Sequence, residues 1–413
     1  MMPSAPDTPA IVGGKPVRTK PFPKWPVHGA AERKQLLKVL ESGDWWCGTG
    51  KKTEQFEQAF AEYHGAKYAI ACTNGSTALE ASLLACGIAP GEEVITTPYT
   101  FVATAGSILR VNAVPVFVDI MPDTANMDPD LIEKAITPRT AAIMPVHFAG
   151  LPCDMDKIRS IARKHKLKVI EDACHAWGGQ WKGKGLGAVG DIGCFSFQMS
   201  KNLTAGEGGI ILTNSRKLAN LAGSVVHVGR KAGHEWYEHF VIGSNLRMTE
   251  WQSAVLIEQL KRLPKQQETR LRNTAFLDEK LSRIGGLKTM ASEKRAGRRS
   301  VHIYIFRVDK GSFGIGRDRL VECLNAEGIP CHGGYPFPLY RNPVFQDLGK
   351  IDSPLARLIG KKLDYKKVNC PEAERICKDV IWIKQSTLLG TRKDMRDIVT
   401  AVKKIKAAAP LLT

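Results

Sequence analysis

The 413-residue sequence predicts an α/β protein, with a mostly parallel but mixed sheet flanked by helices and a smaller C-terminal α+β domain. Three observations predict it. Between residues 66 and 213 short apolar runs alternate with helical segments of roughly 10–15 residues, the pattern of βαβ units around a buried sheet. The runs at 192–198 and 209–213 stand too close together for a helix between them, so one strand must enter the sheet antiparallel. Past residue 250 the chain turns to long amphipathic segments and becomes basic. Residues 251–413 hold 32 Lys+Arg against 17 Asp+Glu, whereas residues 1–250 hold 27 against 24. The expected divisions are an extended leader over 1–26, a large domain over 27–255 and a small domain over 256–413.

In chain order, seven prolines within the first 26 residues exclude a helix or a central strand there. From Glu32 onward Leu36, Leu37, Val39 and Leu40 fall near helical spacing, and Gly43 stops the run. Strands are expected at 66–72, 93–97, 113–120, 141–148 and 167–172. Helices are expected between them at 77–86, 101–111, 129–136 and 154–165. The C-terminal part predicts a long helix over 250–280 interrupted near Pro264, a strand over 301–308, and helices over 318–328, 371–376 and 392–404.

Composition narrows the class. With 43% hydrophobic and 24% charged residues, the chain is neither disordered nor fibrous. Its ten cysteines form no C-x-x-C pair and several sit in apolar runs, so they read as buried thiols in a reducing compartment. No basic, then apolar, N-terminal segment marks a signal peptide, and no apolar run reaches membrane-spanning length; a cytoplasmic location is expected. The net charge of +18 raises the prior for an anionic partner.

The densest group of special residues lies between Val169 and Gly209. Asp172 ends an apolar strand, where ligands of α/β sheets bind and where a carboxylate can pair with a cationic ring nitrogen. Taken alone it reads as a helix N-cap. Lys201 follows the strand containing Phe195 and Phe197 and precedes Gly206, Gly208 and Gly209. No acidic residue neighbours it in sequence before Glu207, which suits an amine that must lose its proton. Taken alone it reads as a solvated loop lysine. The third element, Thr73-Asn74-Gly75-Ser76-Thr77-Ala78-Leu79-Glu80, follows a strand and opens a helix, an arrangement suited to phosphate. Thr77 and Glu80 also fit a capping box. A lysine, an aspartate and a helix N-terminus together suggest pyridoxal 5′-phosphate, whose aldehyde, ring nitrogen and phosphate need those three groups.

These segments resemble the DegT/StrS family of pyridoxal-phosphate-dependent sugar aminotransferases, which share fold type I of such transferases. The resemblance runs from about Gly13 to the C-terminus. It rests on Thr73 to Leu79, Tyr99-Thr100-Phe101-Val102-Ala103-Thr104, His147-Phe148-Ala149-Gly150-Leu151-Pro152, Glu171 to His175, Phe195 to Gly209 and Asn245-Leu246-Arg247-Met248. It implies that Lys201 binds the cofactor covalently and moves the substrate proton, and that Asp172 holds the pyridine nitrogen. It implies further that His175 lies near the ring oxygen, that Phe101 stacks on the ring, and that Gly75, Ser76 and Ser196 hold the phosphate. Asn245 would reach the phosphate of a neighbouring subunit, making a homodimer with shared sites. Tyr335 and Arg247 are the expected substrate contacts. The presence of lysine at 201, where dehydratase relatives carry histidine, implies transamination.

The stretch Gly334-Tyr335-Pro336-Phe337-Pro338-Leu339-Tyr340-Arg341-Asn342-Pro343 and the leader Gly13-Gly14-Lys15-Pro16-Val17-Arg18 resemble the branch that aminates keto-cyclitols such as scyllo-inosose. The implied reaction moves an amino group from L-glutamine or L-glutamate to such a ketone by a ping-pong route. The alternative is a nucleotide-linked keto-sugar, which the positive charge would favour. A more distant alternative is a nucleic-acid-binding regulator, motivated by Lys288, Lys294, Arg295, Arg298 and Arg299. Gly183-Lys184-Gly185-Leu186-Gly187-Ala188 fits a dinucleotide fingerprint but precedes a strand, and His234 and His239 stand one residue too far apart for a zinc helix, so no metal is expected. Trp45 and Trp46 read equally as pocket or core.

Overall fold

The computed structural model describes residues 8–291, 295–348, 357 and 364–412; the first seven leader residues and Lys294 lie outside these. The large domain is built on seven strands: β1 (Tyr68–Cys72), β2 (Glu93–Thr96), β3 (Val114–Phe117), β4 (Thr140–Met144), β5 (Lys168–Asp172), β8 (Ile192–Ser196) and β9 (Gly209–Thr213). A two-stranded hairpin, β6 (Gln180–Trp181) and β7 (Lys184–Gly185), lies between β5 and β8 in sequence. The sheet order is β1-β9-β8-β5-β4-β2-β3. Pairings from β3 through β8 are parallel, and β9 runs antiparallel to both β8 and β1. The sheet is therefore mixed and mostly parallel, as the short link between its last two strands requires.

Helices cover both faces. On one side lie α2 (Lys52–His64), α6 (Met155–His165) and the first half of α8 (Glu250–Leu281). Phe56 and Phe60 of α2 pack there edge-on against Phe197, and Phe60 also meets Phe195. All four phenylalanines are fully buried, and each contributes roughly 1.5–3 kcal/mol by leaving water. On the other face lie α3 (Gly75–Ala85), α4 (Val102–Arg110) and α7 (Arg216–Val226), through Leu79, Leu83, Ile108 and Ala222. A short helix α5 (Ile132–Ala135) precedes β4, and α1 (Ala30–Ser42), ended by Gly43 at φ 73°, packs on α8.

The C-terminal unit has an antiparallel sheet ordered β10 (Leu287–Thr289), β11 (Ile303–Val308), β12 (Val380–Lys384). Helices α9 (Lys310–Phe313), α10 (Arg317–Ala326), α11 (Pro343–Gln346), α12 (Pro371–Asp379) and α13 (Arg392–Ala407) accompany it. Helix α8 is continuous through Pro264, against the expected interruption. The proline removes one backbone donor, but α1 and α2 grip the helix before that point and α13 after it. The same helix runs unbroken across residues 255 and 256. Helices α2 and α7, the β6–β7 hairpin, β10 and β12 had no counterpart in the sequence reading.

The leader is laid along the small unit rather than free. Arg18 pairs with Asp394 at 2.6 Å and Asp397 at 2.8 Å. Buried Glu327 accepts the amides of Ala10 and Val17, each at 2.8 Å, and pairs with Lys404 at 2.9 Å. The basic cluster weighed above is committed to partners within the chain. Lys288 pairs with Asp123, Arg295 with Asp154, Arg299 with Asp278, and Arg298 donates to the Gly178 carbonyl.

The core also carries a pH-sensitive group. His64 is buried, close to the Phe60 carbonyl through Nδ1 and accepting the Gly178 amide at Nε2. That pairing needs the neutral ring, and burial pulls its pKa from 6.5 to about 4. The unfolded chain binds the proton first, so this contribution is intact above pH 6.5 and is lost as pH falls toward 4, about 3 kcal/mol in all. Buried His175 and His302 are shifted the same way. Thermal melts should therefore show a fall in melting temperature between pH 7 and pH 4.5 that His64→Gln reduces. An equal fall in that variant would remove His64 as a contributor.

Candidate active site

The carboxyl ends of β5 and β8 open into a cavity of about 1010 Å³ between the two sheets' units. Its floor begins at α3. Asn74, not Thr77, caps this helix: Asn74 Oδ1 accepts the Thr77 amide at 2.9 Å. The expected Thr77–Glu80 box is therefore corrected, because the cap lies three residues earlier, at Asn74, and Glu80 instead faces Arg110 at 3.6 Å. Gly75 and Ser76 are left as the first helical residues, whose N–H groups have no partner within the helix. A methyl group on Gly75 would lie 2.7 Å from Ser196 Cβ and 3.2 Å from Cys174 Sγ. Only glycine lets α3 close this tightly on the end of β8.

Asp172 is buried at the end of β5, beside Cys194 of β8. Its Oδ2 accepts from Thr104 Oγ1 at 2.7 Å and its Oδ1 from the Cys174 amide at 3.1 Å. Thr104 is in turn 2.8 Å from Thr100 Oγ1. Lys201 lies in the turn after β8, its amide donating to the Gln198 carbonyl at 2.9 Å. Burial holds its amine below the usual lysine range, although Cys174 and Asp172 push the other way. Sequence distance had suggested a lysine without carboxylate neighbours. In space Asp172 is near, and desolvation rather than isolation favours the neutral amine.

His175 receives the Ala149 amide on Nδ1 at 3.3 Å, which places the proton of the neutral ring on Nε2. Burial holds it well below the ordinary histidine range, with Lys201 adding to the effect. Its ring lies 4.4 Å from that of His302. Phe101 is 56% exposed and so offers a free face to the cavity it lines.

The cavity thus brings together Gly75, Ser76, Phe101, Asp172, His175, Ser196, Lys201 and Tyr335. Asn245 and Arg247 are not among its lining residues. Asn245 is exposed in an isolated bridge to His227. Arg247 lies over the Trp46 ring at 5.6 Å, with its Nε and Nη1 buried without a hydrogen-bond partner among the described residues. Trp45 and Trp46 are about half exposed and line no part of this cavity, while Trp177 and Trp181 are core. Sequence reasoning missed Trp25, His302, Trp382, Lys384 and Gln385, which complete the wall. Alternation along β12 would have placed Trp382 and Lys384 on one face, had that strand been recognised. Nothing local marks Trp25 within a proline-rich leader.

A buried lysine whose pKa is lowered by desolvation, a buried carboxylate and a helix N-terminus, all opening on one cavity at the strand ends, belong to an aminotransferase. Residues 27–403 match the DegT/DnrJ/EryC1/StrS aminotransferase family, and the chain belongs to it. It is 36% identical over 417 residues to an L-glutamine:2-deoxy-scyllo-inosose aminotransferase of Streptoalloteichus tenebrarius, covering 96% of this chain and 97% of that one. Its fold matches a crystal structure of 3-amino-5-hydroxybenzoic acid synthase with a TM-score of 0.85 at 34% identity, over 95% of this chain and 100% of that one. A third match is a Bacillus subtilis structure with bound cofactor PMP, at TM-score 0.79 and 28% identity, over 94% of this chain and 86% of that one.

Proposed function

We propose that the chain is a pyridoxal-phosphate-dependent aminotransferase that transfers the amino group of L-glutamine or L-glutamate to a keto-cyclitol of the scyllo-inosose type. The residues present suit the cofactor. Gly75, Ser76 and Ser196 line a cradle that a single Cβ would fill, and buried Asp172 keeps a carboxylate for a ring nitrogen. Pyridoxal 5′-phosphate, when bound, supplies an aldehyde for amino-group exchange and a ring that takes up the electrons released with the α-proton. Lys201 Nζ, whose proton is loosened by burial, would be the attachment point and the base for the donor's α-proton. His175 Nε2–H would be a donor for the ring oxygen, and Phe101 would give the ring a face to lie on.

The observation that favours a neutral acceptor is the wall opposite the phosphate cradle. Trp25, Tyr335 and Trp382 offer aromatic faces, and Gln385 and Ser386 offer uncharged donors and acceptors. Among the described residues lining the cavity, Lys384 is the only Lys or Arg besides Lys201. A nucleotide diphosphate calls for several paired cations, whereas a polyol does not. Cyclitol amination by relatives of the same length supports the same reading.

A homodimer with shared sites accords with Asn245 facing away from its own cavity. Leu37, Leu40 and Trp45 are exposed on one side, and Trp236, Tyr237 and Ile242 are exposed on the segment before Asn245. Sedimentation of the purified protein at micromolar concentration should give twice the chain mass. The substrate assignment is tested by half-reactions. After loading with L-glutamine, the protein should aminate 2-deoxy-scyllo-inosose and leave nucleotide-linked keto-sugars unchanged. The reverse preference would replace the cyclitol by the nucleotide-sugar reading.

A further inference from the structure

Arg270 has no place in the chemistry above, yet it stands in the middle of α8 with 0% exposure. Among the described residues its hydrogen-bond partners are neutral, all on Gln385, and its Nη1 has none. Burial pulls its pKa to about 9. A dehydrated cation facing only neutral groups is unfavourable, and an apolar side chain of similar length would fill the space at lower free energy. Its contacts show what the guanidinium achieves.

Nε and Nη2 both donate to Gln385 Oε1, at 3.1 and 2.6 Å, and Nε also reaches the Gln385 carbonyl at 3.4 Å. Two N–H groups converging on one atom identify it as the amide oxygen and fix the orientation of the carboxamide. The amide nitrogen is thereby turned to the Ser200 carbonyl, 3.4 Å away. The guanidinium also lies over the Trp25 ring at 5.4 Å, and Trp25 Nε1 donates to the Met199 carbonyl at 2.9 Å. The two carbonyls immediately before Lys201 are each held by a side chain that Arg270 itself holds. Leader, α8 and the end of β12 converge on one turn.

We propose that Arg270 is a positioning residue for Lys201, acting through Gln385 and Trp25 on the turn at Met199 and Ser200. The proposal deepens the function given above and rests on Lys201 carrying the cofactor. It does not depend on which ketone is the acceptor. Displacing a reacting group by an ångström costs up to about a hundredfold in rate, so the fixing of this turn bears directly on proton transfer at Lys201 Nζ.

The test uses the holoenzyme. Gln385→Glu keeps an acceptor for Arg270 and removes the donor to Ser200. Trp25→Phe keeps the aromatic face and removes the donor to Met199. Both should retain cofactor content and melting temperature. Visible circular dichroism of the bound cofactor, recorded without substrate, should fall by about half, and the single-turnover rate with L-glutamine should fall about tenfold. The visible signal reports how firmly the cofactor and its lysine are held, which a purely packing role would not change. Normal dichroism and rate in either folded variant overturn the proposal, as does a lowered melting temperature with both readings intact. If Gln385→Glu does not fold, Trp25→Phe decides by the same criteria. A wild-type protein with no cofactor band would instead defeat the function on which the proposal rests.

Discussion

Lys201→Ala should leave a folded, colourless protein whose transamination rate is about 10⁴-fold lower, the range expected when a positioned acid–base group is removed. The reasoning starts from burial. Desolvation holds the Lys201 amine below its usual range, which makes its proton easier to lose despite Asp172 close by. Alanine removes the amine proposed as both attachment point and base. Absorbance after incubation with pyridoxal 5′-phosphate should show the band in the wild type and not in the variant. Single-turnover assays with L-glutamine should show the rate loss. A variant that keeps the band and turns over normally would remove Lys201 from the mechanism. Lys201→Arg is the companion experiment. It keeps a long basic side chain in the pocket but cannot form the covalent link, so it should fail equally. Activity in that variant would mean that the covalent link is not required.

Asp172→Asn should be nearly as damaging, lowering the rate by about 10²–10³-fold, the loss seen when one electrostatic partner of a transition state is removed. The side chain is held from two directions, by Thr104 Oγ1 at 2.7 Å and the Cys174 amide at 3.1 Å, so the amide should occupy the same place without the charge. Thermal melting should change little, because the shape is kept. The cofactor should still bind through Lys201 and the α3 cradle. A rate within threefold of wild type (about 0.65 kcal/mol) would show that the carboxylate does not stabilise charge on the ring. Glu171, one residue earlier, provides the contrast. It is fully buried on the opposite side of β5. It lies 2.8 Å from His147 Nε2 and accepts amides from Gly187, Val189 and Gly190 at 2.6–2.8 Å. It ties the hairpin region to the sheet and lies outside the cavity. Neighbouring carboxylates on one strand face opposite ways, and that alternation separates the structural acid from the catalytic candidate.

The strands were legible because buried parallel strands are short unbroken apolar runs, and β9 was placed to the residue. Helix α7 went unread although it buries Leu218, Ala222, Val225 and Val226, whereas α2 has a thin apolar face. Helix α2, with the sequence KTEQFEQAFAEYH, commits little beyond Phe56 and Phe60 to the core, and its charged face dominates its composition. Strand β12 follows α12 without a turn residue to mark its start, and residues 380–384 carry no assignment in the sequence pattern. The cavity residues around Lys201 and Asp172 were legible because they sit on local motifs: a strand end, a helix start, a glycine-rich turn. The far wall was not, since Trp25, His302, and Trp382 with Gln385 come from three separate segments with no motif among them.

By itself the sequence determined the α/β class and the mixed sheet, and it singled out the lysine, aspartate and helix N-terminus to which the proposed chemistry is assigned. These follow from local periodicity and from which side chains can do which reaction. Only the tertiary structure decided the electrostatic state of Lys201, the cap of α3, the continuity of α8 and the makeup of the far wall. Each of these depends on burial or on contact between distant segments, and a linear pattern carries no record of which residues exclude water from which. The same holds for Arg270. As text it is one of 59 basic residues, and only its enclosure with Gln385 and Trp25 sets it apart.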